Sequence, residues 1–304
     1  GVTPLINAID NRAYDIAMFL LDKGANPGAW DMYGRTPLYV AVDMHSYVGR
    51  SGAGNGNFAG FGAPLAQHAQ NTATAMDLVN RLLAMGVDPN HQLTRMRPNG
   101  NGRGRFADYM MRGATGAVMI AAMNHDDVAL KALLDHHAEA DVPNVFQITP
   151  LMAAADMSGS GRGNFGFGPP PRDIQEHAIK TIDLLLDAGA NINARVTNSH
   201  TSTAKLVAYV QGRDHEGQPT LFAAAESGWN QVVKHLVDRG ADATVRDAAG
   251  KTALDYARTP PPAGPGRGAA AGRKPESDGR AATVALLASL TPKSAAGAEV
   301  AAGK

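Results

Sequence analysis

The chain has 304 residues, of which 28 are basic and 28 acidic, so its formal net charge at pH 7 is +0. A neutral chain has no overall attraction for nucleic acid or for an anionic membrane surface, and no apolar run approaches the roughly 20 residues that a membrane-spanning helix needs. The absence of cysteine excludes disulfides, thiol catalysis and cysteine-based zinc sites.

The first unit, residues 1–33, predicts a pair of short antiparallel helices. Thr3-Pro4-Leu5 opens the inner helix. The outer helix carries apolar residues at helical spacing, namely Ile16, Phe19, Leu20 and Leu21. Gly24-Ala25-Asn26 then ends the outer helix, since glycine can take the left-handed conformation that closes many helices.

The same pattern recurs along the chain, and the units cover residues 1–33, 34–92, 114–146, 147–195, 217–249 and 250–290. The fifth is the most regular, because its two apolar runs are separated by Gly228 and followed by Gly240-Ala241-Asp242. It begins at Gly217, 33 positions before Gly250, where the next unit starts. In the third unit His137 takes the place of the helix-ending glycine, so we expect a left-handed histidine, which is uncommon.

Insertions interrupt these units at residues 46–72, 93–113, 158–175, 196–216 and 259–280, and all except 196–216 are rich in glycine or proline. Their glycine content disfavours helix. Two of them share nearly the same sequence, in residues 56–62 and 163–168, which indicates duplication of a two-unit segment. Residues 291–304 are rich in alanine and lack periodicity, so we expect a disordered tail.

Two helices and a tight turn at a period of 33 residues resemble the ankyrin repeat. The motifs that match are the Thr-Pro-Leu openings and the close at Gly240-Ala241-Asp242. The resemblance implies an all-α ankyrin-repeat solenoid of about six repeats, held together by nearest-neighbour stacking of apolar side chains. The histidine of the family motif is replaced throughout, by Ile6, Tyr39, Met119, Met152, Phe222 and Asp255. This departure removes a polar tie between repeats and leaves the apolar stacking intact.

The long glycine-rich insertions resemble those of bacterial multi-ankyrin proteins that carry secretion signals, which favours an exported, periplasmic or secreted protein. Gly1 already stands at a repeat opening, and no polar capping repeat precedes Thr3. We therefore expect upstream repeats, and any signal peptide, to lie outside this sequence.

Ankyrin repeats bind other proteins through their hairpin tips and the concave face of the inner helices, and the resemblance implies the same here. The candidate partner-binding residues are Trp30, Met32, Tyr33 and Arg35 at the first tip, Val145, Phe146 and Ile148 at a later tip, and Asp43, Asp156 and Glu226 on the inner face. Exposed aromatic residues and arginine are enriched at binding hot spots. The alternative is that the insertions fold back and cover the tips. Acidic residues beside methionine favour a basic, partly apolar partner.

No enzymatic reading is favoured. The glycine-rich runs lack the lysine of a phosphate-binding loop, and the sequence contains neither Gly-x-Ser-x-Gly nor His-Glu-x-x-His. Neighbouring helical positions point about 100° apart, so His136 and His137 do not face one metal ion. We therefore expect a monomeric, non-catalytic binding protein without cofactor or metal.

Two alternatives to this function stay open. The repeats could be the substrate-recruiting region of a larger enzyme whose catalytic domain lies outside this sequence. A polyanion such as RNA could bind the arginine-rich insertion through Arg95, Arg97, Arg103, Arg105 and Arg112. Against the second alternative stand the neutral charge of the whole chain and the simpler interpretation of a solvated loop.

Overall fold

The computed structural model describes residues 1–50, 71–95, 113–157, 173–197, 215–259 and 279–290. Within these ranges the chain forms 12 helices and no strand, which confirms the predicted all-α class. Extended pairing within them amounts to two isolated bridges, Gln92 with Gly116 and Arg195 with Pro219. The tail 291–304 and most of each predicted insertion lie outside the described residues.

The helices are short, and most span two or three turns. They are α1 (Pro4–Asp10), α2 (Tyr14–Asp22), α3 (Pro37–Arg50), α4 (Ala75–Ala84), α5 (Ala117–Met123), α6 (Asp127–Asp135), α7 (Pro150–Ala154), α8 (Ile174–Asp187), α9 (Thr220–Ser227), α10 (Asn230–Asp238), α11 (Ala253–Arg258) and α12 (Arg280–Leu290). Three ends differ from the expected bounds, since α3 enters the predicted insertion 46–72, α8 begins inside 158–175, and α12 begins at the last residue of 259–280. Helix α3 grows from a fully buried first half, and one glycine in its last turn costs only about 1 kcal/mol.

The helices pack in two rows. Each odd-numbered helix contacts the next odd-numbered helix, from α1 through α11, and each even-numbered helix contacts the next even-numbered helix, from α2 through α12. Each odd helix also contacts the even helix that follows it in the chain. Six antiparallel pairs therefore lie side by side, and each pair contacts mainly its neighbours.

Threonine side chains cap the N-termini of most of the odd-numbered helices. The hydroxyl of Thr3 accepts from the Ile6 amide at 3.2 Å, and that of Thr149 accepts from the Met152 amide at 3.3 Å. Thr252 adds the reciprocal bond, because its own amide donates to Asp255 at 2.9 Å. Since the first turn of a helix has amides without backbone partners, the Thr-Pro-Leu openings act as caps, each worth about 1 kcal/mol.

The predicted helix ends are confirmed. Gly240 follows α10 with φ +100°, a conformation that residues with a Cβ rarely adopt. His137, which follows α6, has φ 65° and is left-handed as expected. Its amide donates to the Leu134 carbonyl at 3.1 Å, so the turn after α6 closes without glycine.

Asparagine side chains tie neighbouring pairs together beside these turns. Asn90 donates to the His137 carbonyl at 3.5 Å and accepts from the Glu139 amide at 2.8 Å. Asn193 makes the equivalent bonds with Gly240 at 3.2 Å and Asp242 at 3.0 Å. The same bridge therefore occurs twice, which agrees with the duplication predicted from the insertions.

The core lies between the two rows. The apolar positions predicted for the fifth unit are buried, including Leu221, Ala224, Val232 and Leu236. The largest fully buried side chains include Leu5, Leu78, Met119, Phe146 and Phe222. Nearest-neighbour packing of these side chains supplies most of the apolar burial in the described chain.

Candidate partner-binding surface

A shared polar cap shapes three of the turns between helix pairs. The side chains of Asp31, Asn144 and Asp247 each accept from the amides two and four residues further along, at 2.8–3.1 Å. A short side-chain acceptor can satisfy turn amides that have no backbone partner. The capping residue is buried in each case, so each turn is fixed from within.

The first turn exposes two large apolar side chains. Trp30 is 58% exposed and Met32 is 53% exposed, while Tyr33 is half-buried. The indole of Trp30 stacks on the imidazole of His91 from the next turn, with ring centroids 5.4 Å apart and planes at 28°. The Nε2 atom of His91 is buried and has no hydrogen-bond partner among the residues that the structure describes. Trp30, whose ring is held by His91, and the exposed Met32 thus lie on the same turn. The sequence predicted both as candidate binding residues, but it did not predict the role of His91.

Trp30 differs from the residues at the same position in the later turns. Counted from the residue that ends each even helix, Trp30 occupies the position of Gln92, Pro143, Arg195 and Arg246 in the later turns. None of these is aromatic, and Pro143 alone among them has an aliphatic side chain. A partner meeting the row of turns would find its largest apolar contact at Trp30.

Arg35 was expected at this surface, and the structure corrects that expectation. Its side chain is 4% exposed and forms ion pairs with Asp31 at 2.6 Å and Asp10 at 2.9 Å. The guanidinium thus points inward, where it joins the turn cap to the end of α1. Breaking such a buried pair leaves a charge without compensation, so the role of Arg35 is structural.

The second expected tip is also corrected. Phe146 is 1% exposed and Ile148 is 0% exposed, and both belong to the core. The amide of the half-buried Val145 donates to the Gly113 carbonyl at 3.2 Å, and a Cβ added at Gly113 would come within 2.6 Å of the Val145 side chain. The chain at Gly113 therefore packs directly on this turn, and the prediction that its apolar residues are exposed is wrong for Phe146 and Ile148.

The acidic residues expected on the inner face are mostly inside the protein. Asp43 is 7% exposed and Asp156 is 4% exposed, whereas Glu226 is half-buried. Asp156 has φ 74° and accepts from the Ser227 hydroxyl at 2.7 Å, so it ties α7 to α9. These carboxylates are not presented to a partner, which removes the basis for expecting a basic one.

Of the candidate polyanion contacts, only Arg95 can be placed. It is exposed, and its amide lies 3.3 Å from the Tyr33 carbonyl, so it adjoins the first turn. Arg97, Arg103, Arg105 and Arg112 lie outside the described residues. Sequence reasoning missed two further exposed arginines, Arg195 and Arg246, although counting from the helix-ending glycines would have placed both at the position of Trp30.

One cluster has the residue types of a catalytic triad without its geometry. His45 Nδ1 and Ser46 Oγ both lie 2.7 Å from the same oxygen of Asp126. A nucleophilic serine needs its bond to the imidazole, which no contact here provides. The hydrogen bond to Asp126 raises the pKa of His45, although partial burial acts in the opposite direction. Burial acts to raise the pKa of Asp126, but the hydrogen bond and the charge of His45 keep that pKa below its usual range.

The described residues contain no cluster of three or more histidine and acidic side chains able to hold a metal ion. Among the described helices, none has both the length and the apolar character needed to cross a membrane. Comparison of the chain with protein-family models and with curated proteins gives no match.

Proposed function

We propose that the two rows of helices form a solenoid of the ankyrin type. The proposal is supported by six consecutive helix pairs that contact their neighbours in order. Threonine caps at the starts of α1, α7 and α11, and left-handed residues after α2, α4, α6, α8 and α10, add local support. In such an array each helix pair is stabilised by packing against its neighbours. The exposed residues of the turns between pairs are therefore available to bind another molecule.

We propose that the chain binds another protein through the first turn, without catalysing a reaction. The carrying observation is Trp30, which is 58% exposed yet held in place by stacking on His91. A large side chain whose orientation is already fixed loses little conformational freedom on binding, and tryptophan is enriched at hot spots. Met32 extends the apolar area and can adjust its shape.

The test compares Trp30→Ala with Lys180→Ala, since Lys180 is exposed on α8 and far along the chain from the first turn. A partner captured on the immobilised wild-type chain is identified, purified and titrated calorimetrically against each variant. We expect Trp30→Ala to weaken binding by about 2 kcal/mol, roughly thirtyfold, and Lys180→Ala to leave it unchanged.

Circular dichroism and thermal melting show whether each variant remains folded. Equal affinity of wild-type and Trp30→Ala proteins would refute the proposal. Unfolding of Trp30→Ala, with unchanged binding per folded molecule, would make Trp30 a packing residue and would also refute it.

A further inference from the structure

At the tips of the turns between helix pairs the exposed charges have one sign, whereas exposed acidic residues such as Asp88, Glu139 and Asp242 lie nearer the helix ends. We define the tip surface as residues 30–35, 92–95, 143–148, 195–197, 215–218 and 246–251. Its exposed charged residues are Arg95, Arg195, Arg246 and Lys251, all of them basic. Its carboxylates are turned inward, because Asp31 and Asp247 are buried caps and Glu216 is half-buried. A chain with formal net charge +0 therefore presents a basic edge.

These charges are available to a partner. None of the four basic residues lies within ion-pair distance of a carboxylate in the part of the chain that the structure describes, although the charge of Arg195 acts on Asp242 and that of Arg246 acts on Asp255. Arg246 donates to the Gly250 carbonyl at 2.8 Å, and Arg195 lies 3.5 Å from the Arg246 carbonyl. Bonds to backbone carbonyls orient a guanidinium without neutralising its charge, so the positive charge remains effective at the surface.

The turns lie next to one another in a continuous order. The Tyr33 carbonyl accepts from the Thr94 amide at 3.0 Å, and the Gln92 side chain donates to Pro143 at 2.9 Å. The Asn191 amide then donates to Asp141 at 2.7 Å, and Arg195 reaches Arg246. The apolar patch of Trp30 and Met32 thus stands at one end of a row whose exposed charges are basic.

We propose that the ligand of this surface is an acidic polypeptide segment with an apolar residue at one end. The inference rests on the proposed function, and it names the chemistry of the partner. With neighbouring helices about 8–10 Å apart, five turns span about 32–40 Å. An extended segment of about 12 residues, at about 3.3 Å per residue, covers that length.

A polypeptide fits better than a nucleic acid. Nucleic-acid interfaces are much more densely positive than protein interfaces, whereas here the exposed basic residues are spread over the turns, with none between residues 143 and 148. An acidic segment needs only occasional opposite charges to be steered and aligned. The apolar contact at Trp30 then supplies most of the affinity.

The experiment selects random 12-residue peptides displayed on phage against the full chain, after depletion on the Trp30→Ala variant. We expect enriched peptides to pair an apolar residue with several aspartates or glutamates. The strongest peptide is then titrated by fluorescence anisotropy against Arg195→Glu and Arg246→Glu, with Lys180→Glu as a control of equal charge change. Each tip substitution should weaken binding about three- to tenfold, less so at high salt, and the control should not.

The outcomes separate the two proposals. Enriched peptides that depend on Trp30 but are neutral or basic would overturn the acidic ligand and leave the binding function standing. Failure to enrich any peptide dependent on Trp30 would overturn both. A 20-nucleotide RNA that binds tightly, depends on Arg195 and Arg246, and ignores Trp30→Ala would make the ligand a nucleic acid and overturn the inference.

Discussion

The even row of helices allows one structural position to be compared in two environments. Counted from the helix ends, Ile16 on α2 occupies the position of Leu78 on α4 and Val232 on α10. Leu78 and Val232 are 0% exposed, whereas Ile16 is 57% exposed. The buried positions differ from Ile16 in their packing, because α4 and α10 each contact a preceding even helix in the described chain. In the described chain, α2 is the first helix of the even row.

Truncation at this position should therefore have very different costs. Leu78→Ala removes fully buried methyl groups and leaves a cavity, which costs about 3 kcal/mol. Burying a whole isoleucine side chain contributes about 1.5–3 kcal/mol, so Ile16→Ala, where more than half of that burial is missing, should cost about 1 kcal/mol or less. Val232→Ala provides a second buried case and should cost about 2 kcal/mol.

Urea unfolding followed by circular dichroism measures the three variants. Repeat arrays can unfold in more than one step, so transition midpoints for the same probe are compared before free energies are extracted. The reasoning fails if Ile16→Ala shifts the midpoint as much as Leu78→Ala. Such a result would mean that the face carrying Ile16 is covered in solution.

Two further predictions concern polar ties. Replacing His45 with glutamine should lower stability by about 1–2 kcal/mol between pH 4.5 and 6.5, and the loss should shrink above that range. The sign follows because the pKa of His45 is raised above 6.5, so the positive charge that strengthens its bond to Asp126 is lost as pH rises through that raised pKa. Thermal melts at several pH values check this. Asp156→Ala should be less stable than Asp156→Gly by about 1 kcal/mol in urea, because alanine disfavours φ 74° whereas both lose the Ser227 bond.

The helices could be predicted because their signals are local. Apolar spacing, a threonine before most odd helices and a glycine after most even helices lie within a few residues of the structure they determine. Even the exception at His137 was readable, since the motif fixed the backbone conformation whatever residue occupied it. The end of α3 was harder, because tertiary burial of its first half extends the helix past the point where composition disfavours it.

The surface residues could not be predicted in the same way, because exposure depends on chain segments distant in sequence. Val145, next to the buried Phe146, is contacted by Gly113, which lies 32 positions earlier in the chain. The partner of Arg35 across the turn is Asp10, and that of Asp156 is Ser227, and neither pairing has a local sequence signal. Trp30 was identified correctly as exposed, but its stacking with His91 required knowing which turns are neighbours.

The inward placement of carboxylates explains how a neutral chain acquires a basic edge. Tight turns have amide groups in need of acceptors, and aspartate meets that need where lysine and arginine, which only donate, do not. Asp31 and Asp247 are therefore buried as caps, while the side chains of Arg195 and Arg246 remain exposed and donate to backbone carbonyls of the turns. The net charge of the whole chain is then a poor guide to the charge of the tip surface, because in residues 246–251 the carboxylate of Asp247 is buried while Arg246 and Lys251 are exposed.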